Sequence, residues 1–136
     1  MSYIFGATGT GKTRGIYQKH NAQDIYRITN YRAGRGVSFD GYFGQDVLVF
    51  EEFNSQIPIE NMLNFLDVYP LYLPARYADK IACFTQVYIT SNIPLTAQYK
   101  DVQIYRPETW QAFLRRIHTV TEYRKSGEII ERSTSL

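Results

Sequence analysis

The chain has 136 residues, a formal net charge of +2 and 44% hydrophobic residues, which suits one globular domain, 1–136, large enough to bury a core without staples. Its single cysteine, Cys83, excludes an internal disulfide, and His20 and His118 lack a neighbouring ligand set, so no structural metal site is expected. There is no apolar run of the roughly eighteen residues that cross a bilayer and no leader segment, so a protein away from membranes and inside the cell is expected. With so small a net charge, any nucleic-acid contact has to be local.

Tyr3–Phe5 is a short apolar run that reads as a strand, and it feeds Gly6-Ala7-Thr8-Gly9-Thr10-Gly11-Lys12-Thr13. This is the spacing G-x-x-x-x-G-K-[ST]. Glycines let backbone N–H groups converge on phosphates ahead of a helix N-terminus. Lys12 can reach the β- and γ-phosphates, and the Thr13 hydroxyl can hold Mg²⁺. A glycine-rich turn could match by chance, but agreement at all four fixed positions between a strand and a helical segment is rare. Nothing precedes that strand, so a fragment cut from a longer polypeptide is expected.

Lys12 to about His20 reads as a helix, weakened at Gly15 by about 1 kcal/mol relative to Ala. Asp24–Thr29 reads as a strand, and Asn30–Gly44 as a glycine-rich surface loop with Arg32 and Arg35 in solvent. Asp46–Phe50 is a continuous apolar run, as in a buried parallel strand, and ends in Glu51-Glu52. From Pro58 a helix is expected, with Ile59, Met62, Leu63 and Leu66 on one apolar face, ending at Tyr69-Pro70. Leu71–Leu73 is extended, Pro74–Lys80 an exposed turn, and Ile81–Thr90 one strand running to Ser91-Asn92. Pro107 opens a helix that buries Trp110, Phe113, Leu114 and Ile117. Thr119–Tyr123 and Glu128–Glu131 flank Lys125-Ser126-Gly127 as a hairpin. Strands alternating with helices predict an α/β fold with a mostly parallel central sheet.

Three further places could complete a triphosphate site. Hydrolysis needs a carboxylate for the metal and a group that orients or deprotonates water. Glu51 and Glu52 sit at a strand's carboxyl end, where α/β ligands gather, with Glu51 toward the metal and Glu52 toward the water. Asn92 ends another apolar strand and can bond the γ-phosphate or the water. Arg115 and Arg116 close the last helix. At about 100° per residue, Arg115 faces away from the core and Arg116 lies on the flank; either could be an arginine finger serving a neighbouring subunit.

The ordered set of phosphate loop, V-L-V-F-E-E-F, Y-P-L, V-Y-I-T-S-N and L-R-R-I resembles the superfamily 3 helicase domain of Rep. Rep is the replication initiator of circular single-stranded DNA viruses, circoviruses among them, and of related plasmids. The likeness runs from Tyr3 to about Tyr123. It implies a P-loop NTPase of AAA+-like type, with Lys12 and Thr13 in Walker A, Glu51 and Glu52 in Walker B, and Asn92 as the motif C sensor. It also implies Arg115 or Arg116 as the finger, and a DNA-contacting loop at 73–80. Two departures stand out. Walker B is Glu-Glu where Asp-Asp is common, and the loop carries Arg76-Tyr77-Ala78, so Arg76 and Lys80 keep the charge while Tyr77 can stack on a single strand.

The resemblance implies ATP and Mg²⁺, a hexamer-like ring on single-stranded DNA in rolling-circle replication, and an upstream endonuclease domain apparently absent here. Location would be the host nucleus for a eukaryotic virus and the cytoplasm for a bacterial plasmid. Rival expectations are an RNA-virus helicase of the same superfamily, a nucleotide-gated nucleic-acid-binding module, and a small P-loop phosphotransferase.

Overall fold

The computed structural model describes residues 1–31, 37–67, 71–73, 75 and 79–133. Strands β1 (Ser2–Gly6), β2 (Ile25–Ile28), β3 (Val47–Phe50), β6 (Gln86–Ser91), β7 (Thr119–Tyr123) and β8 (Ile129–Ser133) form a six-stranded sheet in the order β2-β3-β6-β1-β7-β8. Every neighbouring pair is parallel except the β7–β8 hairpin at the edge. The second, two-stranded sheet pairs β4 (Tyr72–Leu73) with β5 (Lys80–Ile81). The helices are α1 (Lys12–Lys19), α2 (Ile59–Phe65), α3 (Lys100–Tyr105) and α4 (Pro107–Arg116). The fold is therefore α/β with a mostly parallel central sheet, as the alternation predicts.

Side chains alternate across a strand, and each inner strand here is apolar on both faces. Leu48 and Phe50 of β3, with Tyr3 of β1, point into the larger core that contains α2 and α4. Val47 and Val49, with Ile4, Ile25 and Tyr88, point to the other face, where Ile16 of α1 covers them. The period of two then continues past the strand ends. Glu51 shares the α1 face with Val49, Asn92 shares it with Tyr88, and Arg27 shares it with Ile25. One face of one sheet edge thereby collects the polar groups.

Several expectations change in detail. The run Ile81–Thr90 is two strands, because Asp46 takes residues 85 and 86 for the main sheet. Its carbonyl accepts the N–H groups of Thr85 and Gln86, and its carboxylate accepts the Thr85 hydroxyl at 2.6 Å. Ile81 is left pairing with Tyr72 in the small sheet. The expected surface loop at 30–44 is partly core. Val37, Phe39 and Tyr42 are buried, and Phe39 stacks on Tyr26 with ring centroids 5.8 Å apart. Within α2 the buried residues are Ile59, Met62 and Phe65, with Leu63 only half-buried. The short helix α3, which follows a 3₁₀ turn at Leu95–Ala97, has no counterpart among the expected elements. The expected helix end at Tyr69-Pro70, most of the turn at Pro74–Lys80, and Arg32 and Arg35 lie outside the described residues.

Candidate active site

The carboxyl ends of β1, β3 and β6 open into a cleft of about 250 Å³, lined by Thr8–Thr13, Arg14, Glu51, Glu52 and Thr90–Asn92. Three segments separated widely in sequence therefore meet in one place. At the loop's end, Gly11 precedes α1 with φ 89°, a left-handed conformation that a Cβ disfavours. No side chain caps α1, so its first N–H groups remain directed at the cleft, an arrangement that favours anions. Thr10 braces the loop by donating its hydroxyl to the Ala7 carbonyl at 2.7 Å.

Lys12 folds back along the loop. Its ammonium donates to the carbonyls of Gly6 at 2.6 Å and Ala7 at 3.0 Å, and to Asn92 Oδ1 at 3.3 Å. Partial burial lowers its pKa, and the charges of Glu51 and Glu52 oppose that shift. Thr13 donates its hydroxyl to Glu51 Oε1 at 2.6 Å. The other oxygen, Oε2, takes the guanidinium of Arg27 at 3.0 Å, and the Tyr31 hydroxyl donates to the Glu51 backbone carbonyl at 2.6 Å. Glu51 is thus buried but hydrogen-bonded on both carboxylate oxygens. Glu52 differs: it is exposed at the mouth, with backbone φ 50°. That left-handed turn lets the Glu52 N–H reach Thr90 Oγ1 at 3.3 Å and the Phe53 N–H reach the Thr90 carbonyl at 2.8 Å. A strained non-glycine residue costs roughly 1–3 kcal/mol and tends to mark a functional site.

Behind the cleft lies a buried polar hub. Gln98 is fully buried; the two hydrogens of its Nε2 are shared among the Tyr3 hydroxyl at 2.8 Å, the Phe53 carbonyl at 3.0 Å and Ser91 Oγ at 3.1 Å, while its Oε1 accepts from the Ser55 hydroxyl at 2.7 Å. It joins β1, β6 and the segment after β3, the elements whose ends carry the loop, Asn92 and the acid pair.

Lys12, Thr13, Glu51, Glu52 and Asn92 all line the one cleft. Arg115 and Arg116 do not. The end of α4 precedes Thr119, which pairs with Ser2, whereas the loop leaves β1 at Gly6 beside Tyr123. The pair thus sits at the other end of β1, about 13 Å away by strand rise alone. Arg116 bonds the Ala112 carbonyl at 2.9 Å and pairs with Asp67 at 3.5 Å, while Arg115 is exposed. Of the expected DNA contacts, Arg76 and Tyr77 lie outside the described residues. Lys80 donates to the carbonyls of Asp40 at 2.6 Å and Tyr42 at 2.9 Å, and sits 4.4 Å from the Phe43 ring centroid.

The sequence reading missed Arg27, Tyr31, Thr90 and Gln98. Arg27 was within reach of pattern reasoning, because it lies two residues after buried Ile25 on a strand and so shares its face. Gln98 carries no such signal.

No family model matches the chain. Over 101 residues it is 34% identical to the replication-associated protein of Beak and feather disease virus, covering 74% of this chain and 32% of that protein. It is 27% identical over 125 residues to the replication-associated protein of Porcine circovirus 1, covering 92% of this chain and 38% of that protein. It is 30% identical over 119 residues to that of Human associated cyclovirus 1, covering 86% and 40%. The chain is similar to replication-associated proteins of the circovirus type and spans between about a third and two fifths of the length of these relatives.

Proposed function

We propose that the chain is a nucleoside-triphosphate-hydrolysing motor domain of a rolling-circle replication initiator, a P-loop NTPase of the AAA+-like superfamily 3 type. The observation that carries the reading is the convergence of Lys12, Thr13, Glu51, Glu52 and Asn92 on one cleft. Its supporting context is the similarity to circovirus-type replication-associated proteins.

In this reading ATP lays its phosphates along Gly6–Thr13, held by the loop's N–H groups and by the N-terminus of α1. Lys12 leaves the carbonyls of Gly6 and Ala7 to take the β- and γ-phosphates. Thr13 Oγ1 and Glu51 Oε1, already 2.6 Å apart, are hard oxygen donors of the kind Mg²⁺ takes when most other positions go to phosphate and water. The metal, when bound, would supply charge neutralisation at the β- and γ-oxygens. Glu52, exposed at the mouth, is the base for the attacking water, and Asn92 orients that water or the γ-phosphate. As the water oxygen bonds to the γ-phosphorus, its proton passes to the Glu52 carboxylate and the bond from the γ-phosphorus to the β–γ bridging oxygen breaks, its electron pair leaving with ADP and the γ-phosphoryl group leaving as phosphate.

Arg115 and Arg116 are too far from their own cleft to act there, which favours a finger delivered to a neighbouring copy in a ring. Arg115 is the better candidate, since Arg116 is engaged with Asp67. Contact with single-stranded DNA is assigned to Arg76, Tyr77 and Lys80. Phosphate release from Mg-ATP tests the reading. Glu52→Gln should cut turnover at least a hundredfold, within the range for a general base, and leave ATP binding in place. Turnover unchanged in that variant would overturn it.

A further inference from the structure

Arg27 reaches Glu51 from outside the cleft. It stands on β2, next to β3, and its guanidinium meets Oε2 at 3.0 Å while Oε1 accepts from Thr13 at 2.6 Å. The Glu51 side chain is 9% exposed and that of Arg27 42%, so a buried acid is held by a cation that keeps one side in water. Arg27 is not among the residues that line the phosphate cleft. It borders a separate groove with Tyr26, Asn30 and Ser38. Whatever it does for a nucleotide, it does through Glu51.

Charge gives that contact a consequence. The cleft and its immediate support hold three cations, Lys12, Arg14 and Arg27, and two carboxylates, Glu51 and Glu52, a set that sums to +1. Without Arg27 the same set falls to neutral, one positive charge fewer where the terminal phosphate must come to rest. A polyphosphate and a divalent cation respond to that charge with opposite sign.

We propose that Arg27 is a positioning residue that fixes the Glu51 carboxylate with one oxygen toward Thr13 and offsets its charge, so that the cleft accepts a triphosphate without a divalent cation. The inference rests on the nucleotide site proposed above. A unit charge at roughly 8 Å in a half-solvated site, with an effective dielectric constant of about 40, changes anion affinity by about fivefold.

The test is equilibrium binding of a fluorescent ATP analogue, in EDTA and in excess Mg²⁺, to the full chain and its variants. In Arg27→Gln the metal-free affinity falls about fivefold, while affinity with Mg²⁺ holds or rises, so the ratio of the two grows. Arg27→Lys keeps the ratio near that of the unmodified chain, and Arg27→Gln with Glu51→Gln returns the metal-free affinity. Glu51→Gln alone, which leaves Arg27 uncompensated, tightens metal-free binding, and it decides the matter should Arg27→Gln fail to fold. An unchanged ratio in Arg27→Gln, equal losses under both conditions, or no tightening in Glu51→Gln would overturn the proposal while the nucleotide site stands. Absence of binding by the unmodified chain in both conditions would instead remove the site itself.

Discussion

Replacing Gln98 by leucine isolates the hub that holds the three cleft-bearing segments together. The substitution keeps the site filled and removes the amide's contacts with Tyr3, Phe53, Ser91 and Ser55. The partners do not lose equally. The Tyr3 hydroxyl still donates to the Ile93 carbonyl at 2.7 Å, and the Phe53 carbonyl still accepts from Ser91 at 2.6 Å. The Ser55 hydroxyl keeps only the N–H of Tyr99, at 2.9 Å, which it accepts, so its own hydrogen has no acceptor among the described residues. Ser55 is only half-buried, so water can take that hydrogen; the amide's two hydrogens and its one accepted bond amount to about three net hydrogen bonds at about 1 kcal/mol each, so the loss should be about 3 kcal/mol. For a chain of this size that is about 10 °C in the melting midpoint. Thermal unfolding followed by circular dichroism reads it. Because Ser91 immediately precedes Asn92, nucleotide affinity should fall alongside stability. A midpoint within about 3 °C of the unmodified chain would refute the reasoning, since Gln98 would then bear none of the alignment.

The same geometry sets the outcome at other positions. A Cβ on Gly15 would come within 2.3 Å of the Tyr123 hydroxyl. That is the far end of a movable side chain, so Gly15→Ala should shift the ring, and the helix gain of about 1 kcal/mol should roughly offset the strain. A melting midpoint lower by more than about 7 °C, equivalent to about 2 kcal/mol, would mean Tyr123 cannot move. Arg115→Ala should abolish most turnover yet leave nucleotide affinity unchanged. Mixed with Lys12→Ala protein it should recover part of the activity, because each partner supplies what the other lacks. No recovery in mixtures across a range of protein concentration would remove the trans finger. Arg116→Ala, which breaks the contact with Asp67, should reduce stability by at most about 1 kcal/mol and turnover less than Arg115→Ala; the reverse order would exchange their roles.

The central sheet was legible because its inner strands announce themselves twice, by apolar runs and by the polar residues at their carboxyl ends. Val47–Phe50 is buried on both faces, and the acid pair comes directly after it. The same held for the loop and for Asn92, whose positions at strand ends needed only the local pattern. The break between Ile81 and Gln86 was not legible, since it depends on Asp46, far away in sequence, capturing Thr85. Phe39 and Tyr42 were misread because neighbouring glycines mark turns, and only tertiary packing against Tyr26 and Phe65 turns that segment inward. Gln98 was invisible for a related reason: a lone glutamine after a proline-led turn has no periodicity to announce burial. Arg27 was half visible, its face readable from Ile25 but its partner set by which strand lies alongside.

Calorimetric titration of Mg-ATP into the unmodified chain and into Lys12→Ala tests the central claim most directly. The account predicts one ATP bound per chain by the unmodified protein. It predicts an affinity at least tenfold weaker in the variant, about 1.4 kcal/mol or more, with the melting midpoint of the free protein essentially unchanged. Equal affinities in the two proteins, or no binding by either, would contradict it.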